Sequence, residues 1–248
     1  MTKKILIIGG AGFIGSNICE KLVEKKINFD LTYFKKKAQI YSSKTKHINV
    51  DLKNKNHITK IIQKYDYIIM CGGKIFNSRA NSNLLDDYNE NVNIHLNVIN
   101  AICKSKIKKY LWFSSCTGYP NSNQKMKENI FFLNDPYSYH KLPGWHSRFI
   151  EKVIESYSSS IKTKFITIRV PEVYGKYDNY DFKTCRNVPF LINNFYFNKK
   201  HKIKLNLYLK KNYIFSGDLA NLSLKTLWKS NKKYDVFNIC NDKLNNLE

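Results

Sequence analysis

A glycine-rich turn close to the amino terminus constrains the fold of this chain more than any other feature. The apolar run Ile5-Leu6-Ile7-Ile8 predicts a buried strand, and the turn Gly9-Gly10-Ala11-Gly12-Phe13-Ile14-Gly15 follows it directly. Beyond Phe13 the apolar residues recur with helical spacing to about Lys26. A strand, three glycines at this spacing and a helix are typical of a dinucleotide-binding unit.

The glycines have separate roles in such a unit. Gly9 permits the tight turn, Gly12 lets the backbone approach a pyrophosphate, and Gly15 lets the helix pack closely against the strand. Phe13 and Ile14 open the helix, so their N–H groups and the positive end of the helix dipole face the phosphates. A tight turn without a ligand is the alternative, but three glycines at this spacing favour dinucleotide binding.

The end of the second predicted strand, about Phe29 to Phe34, indicates which dinucleotide binds. An NAD site usually carries an acidic residue there that bonds the ribose 2′-OH. Asp30 lies too early in the strand, and Lys35 and Lys36 follow its end. We therefore expect NADP, whose 2′-phosphate suits these cations, while NAD stays possible because the lysines could simply be solvated.

Four further residues are expected at the cofactor. Asp51 and Leu52 follow the third predicted strand, where they can touch the adenine, and Cys71 and Gly72 follow the fourth strand at the edge of the cofactor.

The alternation of apolar strands with amphipathic helices predicts a parallel sheet covered on both faces. We expect an α/β fold: a Rossmann-like doubly wound parallel sheet over residues 1–170, and a small substrate-binding lobe over residues 171–248, some of whose segments return to the main domain. Later helices are predicted at about Asn54 to Lys64, Asn89 to Lys104, Pro136 to Ser156, Asn187 to Asn198 and Asp218 to Trp228. Later strands are predicted at about His47 to Val50, Tyr67 to Cys71, Lys109 to Ser114, Phe165 to Val170, Ile203 to Leu209 and Val236 to Cys240.

Charge and cysteine usage narrow the class of protein. The formal net charge is +23, yet 38 of the 42 basic residues are lysine. Nucleic-acid readers usually rely on arginine, so we interpret the charge as a compositional bias and expect no nucleic-acid partner. No run approaches the ~20 apolar residues of a membrane span, and a cytoplasmic protein is expected. The six cysteines have no metal-ligand spacing, so we expect reduced thiols and no metal.

Tyr137 and Lys141 form a Tyr-x-x-x-Lys pair within the helix predicted after Pro136. Residues four apart share one helical face, and a neighbouring ammonium favours the charged form of a phenol. Such a tyrosine can exchange a proton with a sugar hydroxyl. Ser115, near the end of the fifth strand, supplies a hydroxyl that can orient the reacting oxygen.

In this order, these motifs resemble the extended short-chain dehydrogenase/reductases, the NAD-dependent epimerase/dehydratase family. The resemblance extends over nearly the whole chain and includes Asn91-Val92, Arg169, Val173-Tyr174-Gly175, Asp218-Leu219-Ala220 and Phe237-Asn238-Ile239. It implies an enzyme with Ser115, Tyr137 and Lys141 as catalytic residues. It also implies a nucleotide-sugar substrate, whose phosphates the lobe would bind through Arg186, Asn187 and Lys211, and a homodimer that pairs through the two long helices.

The resemblance leaves the reaction open. Cys116 stands where some members that epimerise and reduce keto-sugars use a cysteine, but Tyr177 occupies the place of their partner histidine. We therefore expect an NADP-dependent reductase of a nucleotide-linked keto-sugar, with Cys116 as a candidate base and Tyr177 as a substrate contact. Two alternatives stay open: a nucleotide-sugar epimerase that keeps a bound NAD, and a non-catalytic NADP- or RNA-binding protein on the same fold.

Overall fold

Seven of the nine strands form one parallel sheet in the computed structural model, which describes residues 4–38, 44–74, 83–122, 126–182, 184–197 and 212–241. The strands of this sheet are β1 (Ile5–Ile8), β2 (Asp30–Tyr33), β3 (His47–Asn49), β4 (Tyr67–Met70), β5 (Lys109–Ser115), β6 (Lys164–Val170) and β9 (Tyr234–Asn238). Their order is β3-β2-β1-β4-β5-β6-β9. A separate parallel pair is formed by β7 (Glu172–Tyr174) and β8 (Tyr213–Phe215).

Helices cover both faces of the sheet. They are α1 (Phe13–Glu24), α2 (Lys55–Ile62), α3 (Leu84–Cys103), α4 (Lys141–Ser158), α5 (Asn187–Ile192) and α6 (Ser216–Lys229). One buried apolar cluster joins the sheet to α1 and α6, and a second joins it to α2, α3 and α4. Each fully buried Leu or Ile contributes about 1.5–3 kcal/mol, so the two clusters hold the layers together. The doubly wound α/β fold is confirmed. No helix in the described ranges is long and apolar enough to cross a membrane.

The order of the strands changes sides between β1 and β4: β2 and β3 lie on one side of β1, and β4, β5, β6 and β9 lie on the other. In open parallel sheets ligands bind at the carboxyl ends of the strands at such a point. Here the two strand ends nearly touch: a Cβ atom on Gly9 would lie 2.6 Å from the Cα atom of Gly72. Gly9 also has a φ of 76°, which a residue with a side chain rarely adopts. The glycines therefore set the shape of the crevice at this edge.

Much of the carboxyl-terminal third is built into the main domain. The strand β9 pairs with β6, and α6 packs beside α1. Lys109 is buried beneath the end of α6, where its ammonium donates hydrogen bonds to the carbonyls of Leu227 (2.8 Å) and Ser230 (2.6 Å). A cation at this place satisfies carbonyls that a helix end leaves unpaired.

Some predicted boundaries are wrong. The helix α3 begins five residues earlier than expected, because Asn83 caps it by accepting a hydrogen bond from the N–H of Leu85, and Asp86 and Asp87 complement its dipole. The α-helix expected directly after Pro136 begins only at Lys141. The strands β7 and β8 were not predicted, and the strand expected from Ile203 to Leu209 lies outside the described residues.

A buried ion pair joins α4 to the sheet below the crevice. The guanidinium of Arg169 on β6 pairs with the carboxylate of Glu151 on α4 at 2.8 Å, and the two side chains are 3% and 0% exposed. Arg169 also donates to the hydroxyl of Tyr119 (3.0 Å), which in turn donates to the side-chain carbonyl of Asn238 (2.7 Å). The ring of Phe131 lies under the guanidinium, 3.6 Å from its centroid. The network fixes the ends of β5, β6 and β9 against α4.

The substitution Glu151→Gln is expected to destabilise the protein by about 3 kcal/mol, because it leaves the charge of Arg169 buried without a counter-charge. Urea denaturation measures the change in the free energy of unfolding. Glu155→Gln is the matched control on the same helix, since its exposed pair with Lys152 is worth less than about 1 kcal/mol. Equal effects of the two substitutions would contradict the role assigned to the buried pair.

Candidate active site

The glycine turn has the shape that an anionic ligand requires. Gly12 caps α1 without a side chain, and the first turn of this helix contains no acidic residue. A Cβ atom on Gly15 would lie 2.3 Å from the carbonyl oxygen of Gly9, so no larger residue fits there. The N–H of Gly9 donates to the hydroxyl of Thr32 on β2 (2.9 Å), which ties the turn to the neighbouring strand. The cradle therefore fits the pyrophosphate of a dinucleotide.

The side chains of Phe13 and Ile14 are partly buried against the core, while their backbone opens α1. The first N–H groups of a helix have no partner within the helix. The backbone N–H groups of these two residues are thus available at the turn to donate hydrogen bonds to a phosphate.

The carboxyl end of β2 has no acidic residue, as expected. Asp30 lies at the opposite end of the strand, where it accepts hydrogen bonds from the hydroxyl of Tyr65 (2.7 Å) and the N–H of Lys46 (2.9 Å). Lys35 and Lys36 are exposed just beyond the strand. Asp30 is therefore unable to contact a ribose at the crevice, and cations stand where an NAD site would carry an acid.

The remaining predicted cofactor residues gather beside the turn. A Cβ atom on Gly72 would lie 2.8 Å from a methyl carbon of Leu52, and the N–H of Cys71 donates to the carbonyl of Ile8 (2.8 Å). Asp51 lies two residues beyond the end of β3 and accepts from the N–H of Lys53 (2.9 Å). Burial raises the pKa of the Cys71 thiol well above its usual value, so this residue lines the crevice as a neutral group.

Adjacent serines at the end of β5 have different environments. Ser114 is buried and donates to the carboxylate of Glu151 (2.6 Å). Ser115 is half-buried, and its hydroxyl oxygen accepts from the N–H (3.1 Å) and the hydroxyl (3.0 Å) of Thr117. Successive residues of a strand point to opposite faces. Ser115 is therefore the serine with a partly accessible hydroxyl at the end of the strand.

The segment before α4 brings Tyr137 to the loop that follows Ser115. The N–H of Tyr137 donates to the carbonyl of Tyr119 (2.9 Å). Within α4, a Cβ atom on Gly144 would lie 2.7 Å from the carbonyl oxygen of Thr117, so the first turn of the helix presses closely on this loop. The two predicted catalytic segments therefore meet at the carboxyl edge of the sheet.

Tyr137 and Lys141 do not share an α-helical face as predicted. A 3₁₀ turn spans Ser138–His140, and the N–H of His140 donates to the carbonyl of Tyr137 three residues earlier. Tyr137 therefore precedes the helix, whose first residue is Lys141. Only the backbone of Lys141 belongs to the described structure.

The surroundings of Cys116 do not favour a thiolate. The residue opens the 3₁₀ turn Cys116–Gly118 directly after Ser115. The pKa of its thiol is raised to about 12, mainly by burial and also by the nearby Cys240, and Arg169 only partly opposes these effects. The hypothesis that the cationic chain lowers this pKa is not supported.

Tyr177 is directed at α1. It has a φ of 70°, and its hydroxyl donates to the carboxylate of Glu20 on that helix (3.1 Å). The ammonium of Lys176 pairs with the same carboxylate, and the amide of Asn17 donates to the carbonyl of Lys176 (2.8 Å). These contacts fasten the turn to the main domain, which the sequence pattern alone did not indicate.

Two of the three remaining substrate-binding candidates lie next to each other. Arg186 precedes α5 and pairs with Asp178 at 3.0 Å. Its guanidinium lies over the ring of Phe13, 4.7 Å from the centroid. Asn187 is the first residue of α5, and Lys211 lies outside the described residues.

The sequence of the chain matches the NAD dependent epimerase/dehydratase family over residues 5–240. A GDP-L-fucose synthase from Dictyostelium discoideum is 22% identical over 234 residues, which cover 91% of this chain and 70% of that protein. A putative UDP-glucose 4-epimerase from Methanocaldococcus jannaschii is 26% identical over 236 residues, which cover 91% of this chain and 74% of that protein.

Solved structures show the same fold. The UDP-glucose 4-epimerase of Thermotoga maritima, with UDP-glucose, superposes with a TM-score of 0.84 at 18% identity, covering 98% of this chain and 78% of that one. A GDP-6-OMe-4-keto-L-xylo-heptose reductase from C. jejuni gives a TM-score of 0.79 at 22% identity, covering 96% and 78%. Because the family match extends from the first strand past the last one, the chain belongs to the NAD-dependent epimerase/dehydratase family, whose enzymes use NAD or NADP.

Proposed function

We propose that the chain is an NADP-dependent reductase of a nucleotide-linked keto-sugar. The observation that carries this proposal is the placement of Tyr137 against the loop after Ser115, through the hydrogen bond to the carbonyl of Tyr119. This hydrogen bond supports a site in which Tyr137, as the acid, and Ser115, as the orienting hydroxyl, lie at the same edge of the sheet as the glycine turn.

The reduction requires a hydride and a proton. The dinucleotide, when bound, supplies the hydride to the carbonyl carbon. Tyr137 gives its phenolic proton to the carbonyl oxygen, which completes a secondary alcohol, and Ser115 donates a hydrogen bond that orients this oxygen. Lys141, four residues after Tyr137, would hold the nicotinamide ribose. General acid catalysis of this kind typically contributes ~10²–10⁴-fold to a rate.

Relatives and local sequence support a sugar nucleotide as substrate. The segments Ser114-Ser115-Cys116 and Tyr174-Gly175-Lys176-Tyr177-Asp178-Asn179 resemble GDP-L-fucose synthase, the name of one of the relatives above. Epimerisation next to the carbonyl would need a base, and neither candidate suits that role. The thiol of Cys116 has a raised pKa, and the hydroxyl of Tyr177 is bonded to Glu20. Plain reduction is therefore favoured.

Replacing Tyr137 by Phe removes the proton donor and is expected to lower turnover by about 10²–10⁴-fold with little change in cofactor affinity. NADPH oxidation with GDP- or UDP-linked 4-keto-sugars measures turnover. Tyr139→Phe is the matched control, because Tyr139 is exposed in the adjacent 3₁₀ turn.

Turnover at the wild-type rate in the Tyr137 variant would refute the assigned acid. Absence of activity of the unmodified protein on every such sugar would instead favour a non-catalytic protein. Product formation without equivalent NADPH consumption would replace the reductase by the epimerase that keeps a bound NAD.

NADPH is expected to bind more tightly than NADH, since we assign Lys35 and Lys36 to its 2′-phosphate. The double substitution of both by Ala should weaken NADPH by about tenfold and leave NADH unchanged, as measured by ligand fluorescence. A double Ala variant of Lys55 and Lys60, exposed on α2, controls for the loss of two charges. Tighter binding of NADH by the wild type would show that NAD is the cofactor.

We also propose a homodimer through the outer face of α3 and α4. A groove between these helices is lined mainly by apolar side chains: Leu96, Ile99, Phe149, Val153 and Tyr157. Phe149 and Tyr157 are exposed in the single chain, and pairing two such faces would remove them from water.

Light scattering at micromolar protein is expected to give twice the mass of the chain, and Phe149→Glu is expected to halve it, because a charge would then lie in the apolar contact. Leu222→Glu, at an exposed apolar position on α6, should stay dimeric. A monomeric wild type would rule out this assembly.

A further inference from the structure

Arg186 was expected at the phosphates of the substrate, but its guanidinium lies beside the glycine turn, over the ring of Phe13. Within the described residues its guanidinium lies against two side chains, Phe13 and Asp178. Phe13 directly follows Gly12, the residue at which the backbone admits a pyrophosphate. Arg186 thus projects from the substrate lobe across to the start of α1.

The guanidinium is held in place but incompletely used. Asp178 is 2% exposed and accepts from Nη2 of Arg186 at 3.0 Å, while the arginine side chain is 26% exposed. In the part of the chain that the structure describes, Nε of Arg186 and Oδ2 of Asp178 are both buried without a hydrogen-bond partner, so a single contact holds this ion pair. A buried donor without an acceptor is unfavourable, so this guanidinium can take a further acceptor.

The start of α1 lacks a negative group that could be this acceptor. Gly12 caps the helix without a side chain, and the first turn has no acidic residue. A phosphate placed there would accept from the first N–H groups of α1 on one side and from the arginine fork on the other. Arginine suits this contact because its donors match the oxygens of a phosphate.

We propose that Arg186 binds the pyrophosphate of the dinucleotide, opposite the glycine turn. The inference rests on the proposed dinucleotide-dependent function and assigns Arg186 to the cofactor in place of the phosphates of the substrate. Asp178 acts as a positioning residue that fixes the plane of the guanidinium. The bound dinucleotide then joins the segment before α5 to the start of α1, so cofactor binding completes the wall of the crevice.

Isothermal titration of Arg186→Gln and Arg186→Lys tests the proposal with four probes: NADPH, NADH, ADP-ribose and adenosine. The first three carry a pyrophosphate, and ADP-ribose lacks the nicotinamide. Arg186→Gln is expected to weaken these three by about tenfold or more and to leave adenosine unchanged. Arg186→Lys is expected to recover part of the loss, because lysine keeps the charge but lacks the fork.

Lys176→Gln is the matched control, since Lys176 is an exposed cation of the same lobe that pairs with Glu20. The affinity of the Lys176→Gln variant for ADP-ribose should stay within about twofold of that of the wild type. Thermal unfolding of each variant shows that it is folded at the temperature of the titration, which separates a lost contact from a lost fold.

Two results would overturn the assignment. One is an unchanged affinity of Arg186→Gln for ADP-ribose while the wild type binds it. The other is a loss of affinity confined to UDP and GDP, titrated beside the four probes as the nucleotide part of a substrate, which would return Arg186 to the phosphates of the substrate. A wild type that binds no dinucleotide would instead refute the proposed function itself.

Discussion

The buried pair between Arg169 and Glu151 determines the geometry on which the candidate active site depends. Arg169 lies on β6, Glu151 lies on α4, and their contact fixes how that helix approaches the sheet. The same guanidinium also donates to the hydroxyl of Tyr119. The backbone carbonyl of Tyr119 in turn accepts a hydrogen bond from the N–H of Tyr137. The carboxylate of Glu151 also fixes Ser114, the neighbour of Ser115. Of the two residues proposed as catalytic, Ser115 is therefore the neighbour of a residue that the ion pair orients, and Tyr137 is joined to another such residue by one hydrogen bond.

Such a pair is better understood as a determinant of shape than as a source of stability. Removing two charges from water costs several kcal/mol per ion, and their attraction repays this cost only when every donor and acceptor is satisfied. The arginine here has partners on each side: Glu151, Tyr119, the carbonyl of Glu128 and the face of Phe131. Phe131 in turn rests on Gly118, where a Cβ atom would lie 2.2 Å from the ring. The loop after β5 can therefore adopt this path only with a glycine beneath the aromatic ring.

The sequence predicts those parts of the fold that depend on local patterns. The apolar runs and the glycine spacing suffice for the parallel sheet and for the turn after β1, because period and turn geometry are encoded within about fifteen residues. The ion pair of Glu151 and the bond of Tyr119 to Asn238 join residues up to 119 positions apart, and no local pattern signals them. A charged residue between Ile150 and Ile154 on the apolar side of a helix is the one available sign. The start of α4 was misplaced for the same reason, since the carbonyl of Tyr119 holds Tyr137 outside the helix.

The chemistry available at this site favours a single proton transfer. Reduction of a ketone needs one acid, the role proposed for Tyr137. Epimerisation beside the carbonyl also needs a base that is free of its proton. Burial raises the pKa of the Cys116 thiol, which disfavours the thiolate that such a base would need. The hydroxyl of Tyr177, the residue expected in place of a partner histidine, is bonded to Glu20 on α1. The same contacts that fasten this turn to α1 therefore remove the second group on which a base-catalysed step would depend.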